Sequence, residues 1–287
     1  MAGGSGIDYD VVTDDVLHEE GASLLSPYRC IVTGTHPEYH SVQMLDGIDA
    51  WLGTGGRLVY LGGNGFYWRA ATHDAHPGVI EVRRGEAGTR CFEMPAGERH
   101  NQFDGEFGGL WRSNGRPPQS LVGVGFVAEG FDSCHWYERT DASFDPRAAF
   151  IFEGTNKEDR IGDFGVLGGA AGLELDAADP TLGTPAHALV LARSAGYSNV
   201  YLVTVEEMMS THPSVDGSTT RWFERSWCFL KRHPGEPCFR PAPLHGLRRS
   251  LISGTATTSR GSPAMSFVDS LIRRRSLDRT SKRLSSG

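Results

Sequence analysis

The chain has 287 residues, of which 39% are hydrophobic and 22% are charged, and its formal net charge is −7. This length and apolar content suffice for one large or two small folded domains. The negative charge argues against a nucleic-acid-binding protein. The first residues lack the basic and apolar regions of a signal peptide, and no stretch approaches the roughly 20 apolar residues of a membrane helix. We therefore expect a cytoplasmic protein that contacts neither nucleic acid nor membrane.

The first 70 residues divide into an N-terminal segment and a strand–helix–strand unit. Residues 1–27 lead into the domain, with a short strand at IDYDVV and a short helix or turn at DDVLHEEGASLL. The β-branched, apolar run at residues 29–33 predicts a buried parallel strand, and RLVYLGG predicts a second one. Between them, Ser41 is a helix N-cap residue, and apolar residues follow at helical spacing as far as Gly53. The short links predict a right-handed crossover.

The rest of the chain predicts a β-rich insertion and a basic tail. Residues 79–92 alternate like a hairpin. LVGVGFVAEGF and AAFIFEG are interpreted as short strands, and HALVLARS and VYLVTVEEM as the last two core strands. We expect an α/β domain over residues 28–240. Residues 241–287 hold nine Lys and Arg against two Asp and Glu, and their Ser- and Arg-rich composition predicts a disordered tail. The alternative for this tail is a basic arm that binds nucleic acid or anionic lipid.

We expect the functional site to lie where the two predicted strands end. In an open parallel sheet, ligands bind beyond the carboxyl ends of the strands, which points to GTHPEYHS and GGNGFYWRA. The residues that these segments offer to one shared pocket are His36, Glu38, Tyr39, Asn64, Tyr67 and Trp68. The alternative is that both tyrosines merely cap the sheet, with buried rings and hydrogen-bonded hydroxyls.

A long series of motifs resembles the C-terminal domain of the N,N-dimethylformamidase large subunit. It begins with GTHPEYHSVQMLDGIDAWLGTGGRLVYLGGNGFYWRA, continues through GEFGGLWRSNGRPPQ, LVGVGF, FIFEG, IGDFG, GGAAGLELD and LGTPAHALVLA, and covers roughly residues 7–208. The resemblance implies a parallel sheet core of the glutamine-amidotransferase type. It also implies a mononuclear non-heme iron held by two tyrosines and one glutamate, and hydrolysis of small amides. Since the family's enzymes contain a small partner subunit, we expect such a partner or a homo-oligomer.

Carried over to this sequence, the two tyrosine ligands match Tyr39 in HPEY and Tyr67 in NGFYW. For the glutamate we favour Glu106 in DGEFGGLW, because its flanking glycines allow the backbone to approach a metal closely. Glu153 in IFEG and Glu174 in GLELD are the alternatives. Two phenolates and one carboxylate are hard anionic oxygens, which suit ferric iron. Three protein ligands leave positions for substrate and water.

The residues that move protons are expected near the third ligand. In the mechanism that the resemblance implies, iron polarises the amide carbonyl and lowers the pKa of a bound water. His100 and Asp104 lie close to Glu106 in sequence and are candidates to take the proton, while Asn101 is a candidate to orient substrate or water. The alternative for each of them is an ordinary place in a surface loop.

Other chemistries match the sequence less well. A glutaminase-like site needs a cysteine nucleophile on the turn after a core strand, and here that turn reads GGNG. Cys30 lies within or before its strand, where a thiol is buried and inert. His73 and His76 have the spacing of helical metal ligands, but a proline follows them. The competing functions are a metal-free binding or subunit domain and a β module that binds carbohydrate or another small molecule.

Overall fold

The computed structural model describes residues 8–85, 93–165, 167–204, 216–218, 225–231 and 250–253. The α-helices are α1 Asp14–Glu20, α2 Ala22–Leu25, α3 Val42–Thr54 and α4 Pro118–Val122. The strands are β1 Cys30–Val32, β2 Tyr39–His40, β3 Arg57–Tyr60, β4 Trp68–Arg69, β5 Gly125–His135, β6 Glu138–Arg139, β7 Ala171–Ala177, β8 Leu189–Ser194, β9 Leu202–Val203, β10 Arg225–Lys231 and β11 Ser250–Ser253. Short 3-10 helices cover Ala96–Arg99, Asp141–Phe144, Ala149–Phe152 and Pro180–Leu182. None of the described helices is both long and apolar enough to cross a membrane.

The predicted strand–helix–strand unit is confirmed at residues 30–60. β1 and β3 pair in parallel, and α3 connects them. The helix begins where the Ser41 hydroxyl accepts a hydrogen bond from the Met44 amide, and it ends at Gly55, whose φ of 106° is left-handed. Its apolar face is buried in a core cluster with β3. The apolar residues at helical spacing therefore form the face that packs the helix against the sheet.

The large sheet is mixed. Its strand order is β1-β3-β11-β10-β8-β6. β11 is parallel to β3 and antiparallel to β10, and β8 is antiparallel to both β10 and β6. β11 falls within residues 241–287, the segment expected to be disordered, and the rest of that segment lies outside the described residues. The glutamine-amidotransferase-like arrangement of the whole domain stays a prediction.

Two smaller sheets complete the described architecture. β5 is paired on both sides, with β7 and with β9, and both pairings are antiparallel. This layer carries its own buried core cluster, which includes Val127, Leu175 and Tyr201. The second small sheet consists of the two-residue strands β2 and β4, which are parallel. It joins the loops that leave the carboxyl ends of β1 and β3, and it therefore decides where their side chains lie.

Four segments differ from their predicted strands or are only partly described. Residues 8–12 form no strand, and all five of them are exposed to solvent. AAFIFEG is instead a 3-10 helix, because its amides bond locally, as from Ile151 to the Ala148 carbonyl (2.9 Å). In VYLVTVEEM only β9 is a described strand, and it pairs with β5 rather than within the large sheet. Of the predicted hairpin, residues 86–92 lie outside the described ranges.

Burial makes two of the described cysteines unreactive. Cys30, Cys134 and Cys228 form no disulfide. Burial raises the pKa of Cys30 to about 11 and that of Cys228 to about 12. A thiol with such a pKa is almost wholly protonated at neutral pH and is a poor nucleophile. Cys30 is partly rather than fully buried, and its raised pKa agrees with the interpretation of an inert thiol.

Candidate functional site

The loops that follow β1 and β3 meet at one edge of the large sheet, and we call them, residues 33–41 and 61–70, the rim. Within the rim, β2 pairs in parallel with β4, with Tyr39 opposite Trp68. The Glu38 carbonyl accepts hydrogen bonds from two consecutive amides of the second loop, including that of Trp68 (2.9 Å). Because the carboxyl ends of parallel strands are the usual ligand-binding edge of such a sheet, the rim is the candidate site.

One buried carboxylate holds the turn after β3 in place. Gly62, Gly63 and Asn64 have φ values of 74°, 82° and 55°, in the left-handed region that is uncommon outside glycine. Asp176 in β7 is only 1% exposed. Its carboxylate accepts hydrogen bonds from the amides of Gly63 (3.2 Å) and Asn64 (3.0 Å) and from the Tyr60 hydroxyl (2.7 Å). These bonds attach the turn to β7.

Three groups that can bind a proton or a metal converge on the rim: His36, Glu38 and Glu174. Glu174 precedes Asp176 by two residues, so both side chains leave the same face of β7. His36 Nδ1 lies 2.5 Å from Glu174 Oε2. One donor atom from each of the three residues lies within 4.8 Å of the others. The His36 ring covers Gly63, and the left-handed φ of 82° at Gly63 makes a side chain there strained.

The two tyrosines predicted as metal ligands have different surroundings. Tyr39 is 37% exposed, and an Arg84 guanidinium nitrogen donates to its hydroxyl. The same guanidinium lies over the Trp68 ring, 4.9 Å from its centroid. Tyr67 is buried, and its ring packs edge-on against Phe126 with 5.3 Å between centroids. The β2–β4 pairing thus places Tyr39 opposite Trp68, the residue that follows Tyr67, and the role of the two tyrosines as ligands stays a prediction.

The predicted proton-transfer residues and the predicted third ligand share one turn. The Asn101 amide donates to the Glu106 carbonyl (2.8 Å), and the Glu106 amide donates to the Asp104 carboxylate (3.0 Å). That carboxylate also pairs with Arg69 of β4 at 2.8 Å, which attaches the turn to the rim. His100 and Glu106 are exposed. The structure therefore places these residues on one loop beside the rim, and their chemical roles stay predictions.

Asn101 is the buried member of this turn, with 1% of its surface exposed. Within the described residues, neither the nitrogen nor the oxygen of its side-chain amide has a hydrogen-bond partner. A buried amide that lacks partners is costly. A substrate amide or a water molecule that bonded to both atoms would remove this cost.

We expect His40 to make stability depend on pH. Burial lowers its pKa to about 3, against the opposing effect of a hydrogen bond to the Glu38 backbone. The native histidine stays neutral, whereas the unfolded chain takes up a proton below about pH 6.5. Stability is therefore full above pH 6.5 and falls towards pH 3, by up to about 1.4 kcal/mol per pH unit from this residue. Urea denaturation between pH 7 and 4.5 measures the slope.

The control for this experiment is a second histidine variant. His40→Asn should flatten the pH slope, whereas His73→Asn, at an exposed position, should leave it unchanged. Equal slopes for the unmodified chain and His40→Asn would contradict the assignment.

Sequence reasoning named most of the rim but not the element opposite it. His36 and Glu38 were expected in one pocket, and the structure joins them to Glu174, which sequence reasoning considered only as an alternative iron ligand. Asp176 was missed, although strand alternation in GLELD places it on the same face as Glu174. Glu153, the other alternative ligand, is exposed at the end of a 3-10 helix.

Comparison with known proteins identifies the family. Residues 1–228 match the family described as N,N-dimethylformamidase beta subunit-like, C-terminal. The N,N-dimethylformamidase beta subunits of Paracoccus aminophilus and Alcaligenes sp are each 41% identical to the chain over 214 residues. The match covers 74% of the chain but 28% of each relative, so the chain spans little more than a quarter of their length. The chain belongs to the family of N,N-dimethylformamidase beta subunit-like C-terminal domains.

Proposed function

We propose that this chain is the hydrolytic domain of a small-amide hydrolase of the dimethylformamidase type. The observation that carries the proposal is the rim, where phenol, carboxylate and imidazole groups gather at the ligand-binding edge of a sheet within the family-matched region. The relatives' name, N,N-dimethylformamidase, supplies the substrate class. An amide bond is chemically stable, and its hydrolysis needs both carbonyl polarisation and proton transfer to the leaving amine.

An iron ion is the proposed source of carbonyl polarisation. Tyr39, Tyr67 and Glu106 would hold it, since two phenolates and a carboxylate match the hardness of ferric iron. The Arg84 guanidinium that donates to the Tyr39 hydroxyl would offset the charge of a phenolate there. When bound, iron would act as a Lewis acid towards the amide carbonyl and a water molecule.

The chain's own side chains would position the substrate and move the proton. Asn101 would orient the substrate, because its buried side-chain amide offers a donor nitrogen and an acceptor oxygen. The exposed His100 imidazole would take a proton from the attacking water molecule and pass it to the leaving amine. Asp104 would keep this loop against the rim through its ion pair with Arg69.

The second candidate function is a binding or subunit domain that keeps the fold without metal or activity. It is favoured by one observation: the relatives are named as beta subunits. In that case a partner subunit or a second copy of the chain would complete the assembly.

Metal analysis of the purified chain separates the two functions. We expect about one iron per chain, a visible tyrosinate-to-iron charge-transfer band, and release of dimethylamine from N,N-dimethylformamide. Tyr67→Phe should abolish the band and most of the iron, because it removes one phenolate ligand. Inductively coupled plasma mass spectrometry and absorbance spectroscopy measure both effects.

The matched control is Tyr9→Phe, at a residue that is 56% exposed and far from the rim in sequence. It should keep full iron and colour. A colourless, iron-free and inactive chain favours the subunit domain, and full iron retention by Tyr67→Phe overturns the assignment of Tyr67.

A further inference from the structure

We propose that residues 263–275, which lie outside the described ranges, fold as an amphipathic helix on the chain's own domain and cover an apolar patch beside the rim. The patch consists of Phe131 in β5, Leu202 in β9 and Val200 just before β9, which are 59%, 41% and 50% exposed. Large apolar side chains that are exposed together are typical of a surface that another element covers. The proposal does not depend on amide hydrolysis.

The patch lies on the side of the small sheet that faces the rim. Glu129 in β5 lies opposite both Glu174 in β7 and Leu202 in β9. Side chains two residues apart in a strand share a face, so Phe131 follows Glu129 on the face that carries Asp176, which binds the turn after β3. With strands about 5 Å apart and about 3.3 Å per residue, the patch lies within roughly 20 Å of Asp176.

The chain returns to the rim before the proposed helix begins. β11 pairs in parallel with β3, and its last residue, Ser253, lies opposite Tyr60. Tyr60 ends β3 and donates to Asp176, so the chain leaves β11 at the edge of the sheet that the rim occupies. The nine residues 254–262 span up to about 30 Å when extended, and a helix over residues 263–275 is about 20 Å long. The helix can therefore reach the patch from β11.

Residues 262–275, SPAMSFVDSLIRRR, have the sequence features of a short amphipathic helix. The segment begins with serine and proline, which are favoured at the N-cap and at the first helical position. Apolar residues follow at positions 264, 267, 268, 271 and 272, which is the spacing of one helical face. Three consecutive arginines occupy the last turn, where positive charge is favourable. A helix of this length is marginal in water by itself, so it needs a surface on which to bury its apolar face.

Charge favours docking of this segment on the domain. The chain's net charge is −7, and residues 241–287 hold nine Lys and Arg against two Asp and Glu, so the preceding residues carry −14. At the patch, β5 supplies the carboxylates of Glu129 and Asp132 on either side of Phe131 along the strand. A helix with an apolar face and a basic end is thus complementary to an apolar patch with an acidic border.

Hydrogen exchange of the full chain tests the proposal, with a free peptide of residues 262–275 as the reference. We expect the amides of residues 263–275 to exchange at least about tenfold more slowly in the chain than in the peptide, because docking keeps the helix formed. Phe131→Ser should remove most of this protection, since it takes away the largest side chain of the patch. The matched control, Phe144→Ser, removes a phenylalanine that is 48% exposed in another part of the surface and should leave exchange unchanged.

Leu271→Ser provides a second variant that leaves the sequence of the described domain intact. It removes an apolar side chain from the helix and should speed exchange at residues 263–275 as Phe131→Ser does. A photo-crosslinking amino acid, p-benzoylphenylalanine, in place of Phe267 should attach to β5 or β9 of the same chain on irradiation. Mass spectrometry of the monomeric product maps the crosslink.

Four outcomes decide against docking within the chain. Exchange that is equally fast in chain and peptide overturns the proposal, and so does protection that survives both Phe131→Ser and Leu271→Ser. Protection that rises with protein concentration, with crosslinks only between two chains, would place the segment on a second copy and overturn it. Protection that appears only with vesicles of phosphatidylglycerol and phosphatidylcholine would make the segment a membrane-binding helix instead. Absence of formamide hydrolysis would count against the proposed function alone, because hydrogen exchange needs no turnover.

Discussion

Asp176→Ala should lower the free energy of unfolding by about 3–5 kcal/mol. The Asp176 carboxylate is buried and accepts three hydrogen bonds, from the Tyr60 hydroxyl and from the amides of Gly63 and Asn64. Alanine leaves these donors without an acceptor at a site closed to water, and each such donor costs about 1–3 kcal/mol. The left-handed turn after β3 would also lose its attachment to β7. Urea denaturation followed by fluorescence measures the change.

Two further variants make this expectation decisive. Asp176→Asn keeps one acceptor oxygen at the same place and should cost less than alanine, about 1–2 kcal/mol. Asp163→Ala removes an exposed carboxylate and should change stability by less than about 0.5 kcal/mol. A loss below 1 kcal/mol in Asp176→Ala would show that another element holds the turn.

Arg69→Met should destabilise the chain by about 2–4 kcal/mol and loosen the turn at residues 100–106. Arg69 is 6% exposed, and its guanidinium donates to the Asp104 carboxylate (2.8 Å), the Phe107 carbonyl (3.2 Å) and the Asn114 side-chain oxygen (3.3 Å). Methionine fills similar space but removes the donor that these three acceptors share. Hydrogen exchange should become faster at the turn, since its connection to β4 is lost.

The matched control is Arg147→Met. Arg147 pairs with Asp145 at 2.7 Å, but its side chain is 43% exposed, and surface pairs of this kind contribute little. We expect a change of less than about 0.5 kcal/mol and normal exchange at residues 100–106. Equal losses in Arg69→Met and Arg147→Met would mean that the buried pair does not hold the turn.

The amino-acid sequence alone determined the strand–helix–strand unit and the place of the rim. A helix cap at Ser41, apolar residues at helical spacing and glycines at the strand ends are local features, so they can be recognised without knowing what packs against them. The motif resemblance identified the family, and the family match over residues 1–228 confirms it. The strand prediction for AAFIFEG failed, because local amide bonds make that segment a 3-10 helix although its residues favour a strand.

Only the tertiary structure decided what faces the rim. His36 and Glu38 follow directly from the loop after β1, but Glu174 lies 138 residues from His36 in the chain. Strand alternation indicates that Glu174 and Asp176 share a face of β7, and it cannot say which element that face meets. The packing of β7 against the turn after β3 settles this, because a buried carboxylate must find donors and the turn's amides supply them. The carboxylates of β7 complete the rim for that reason.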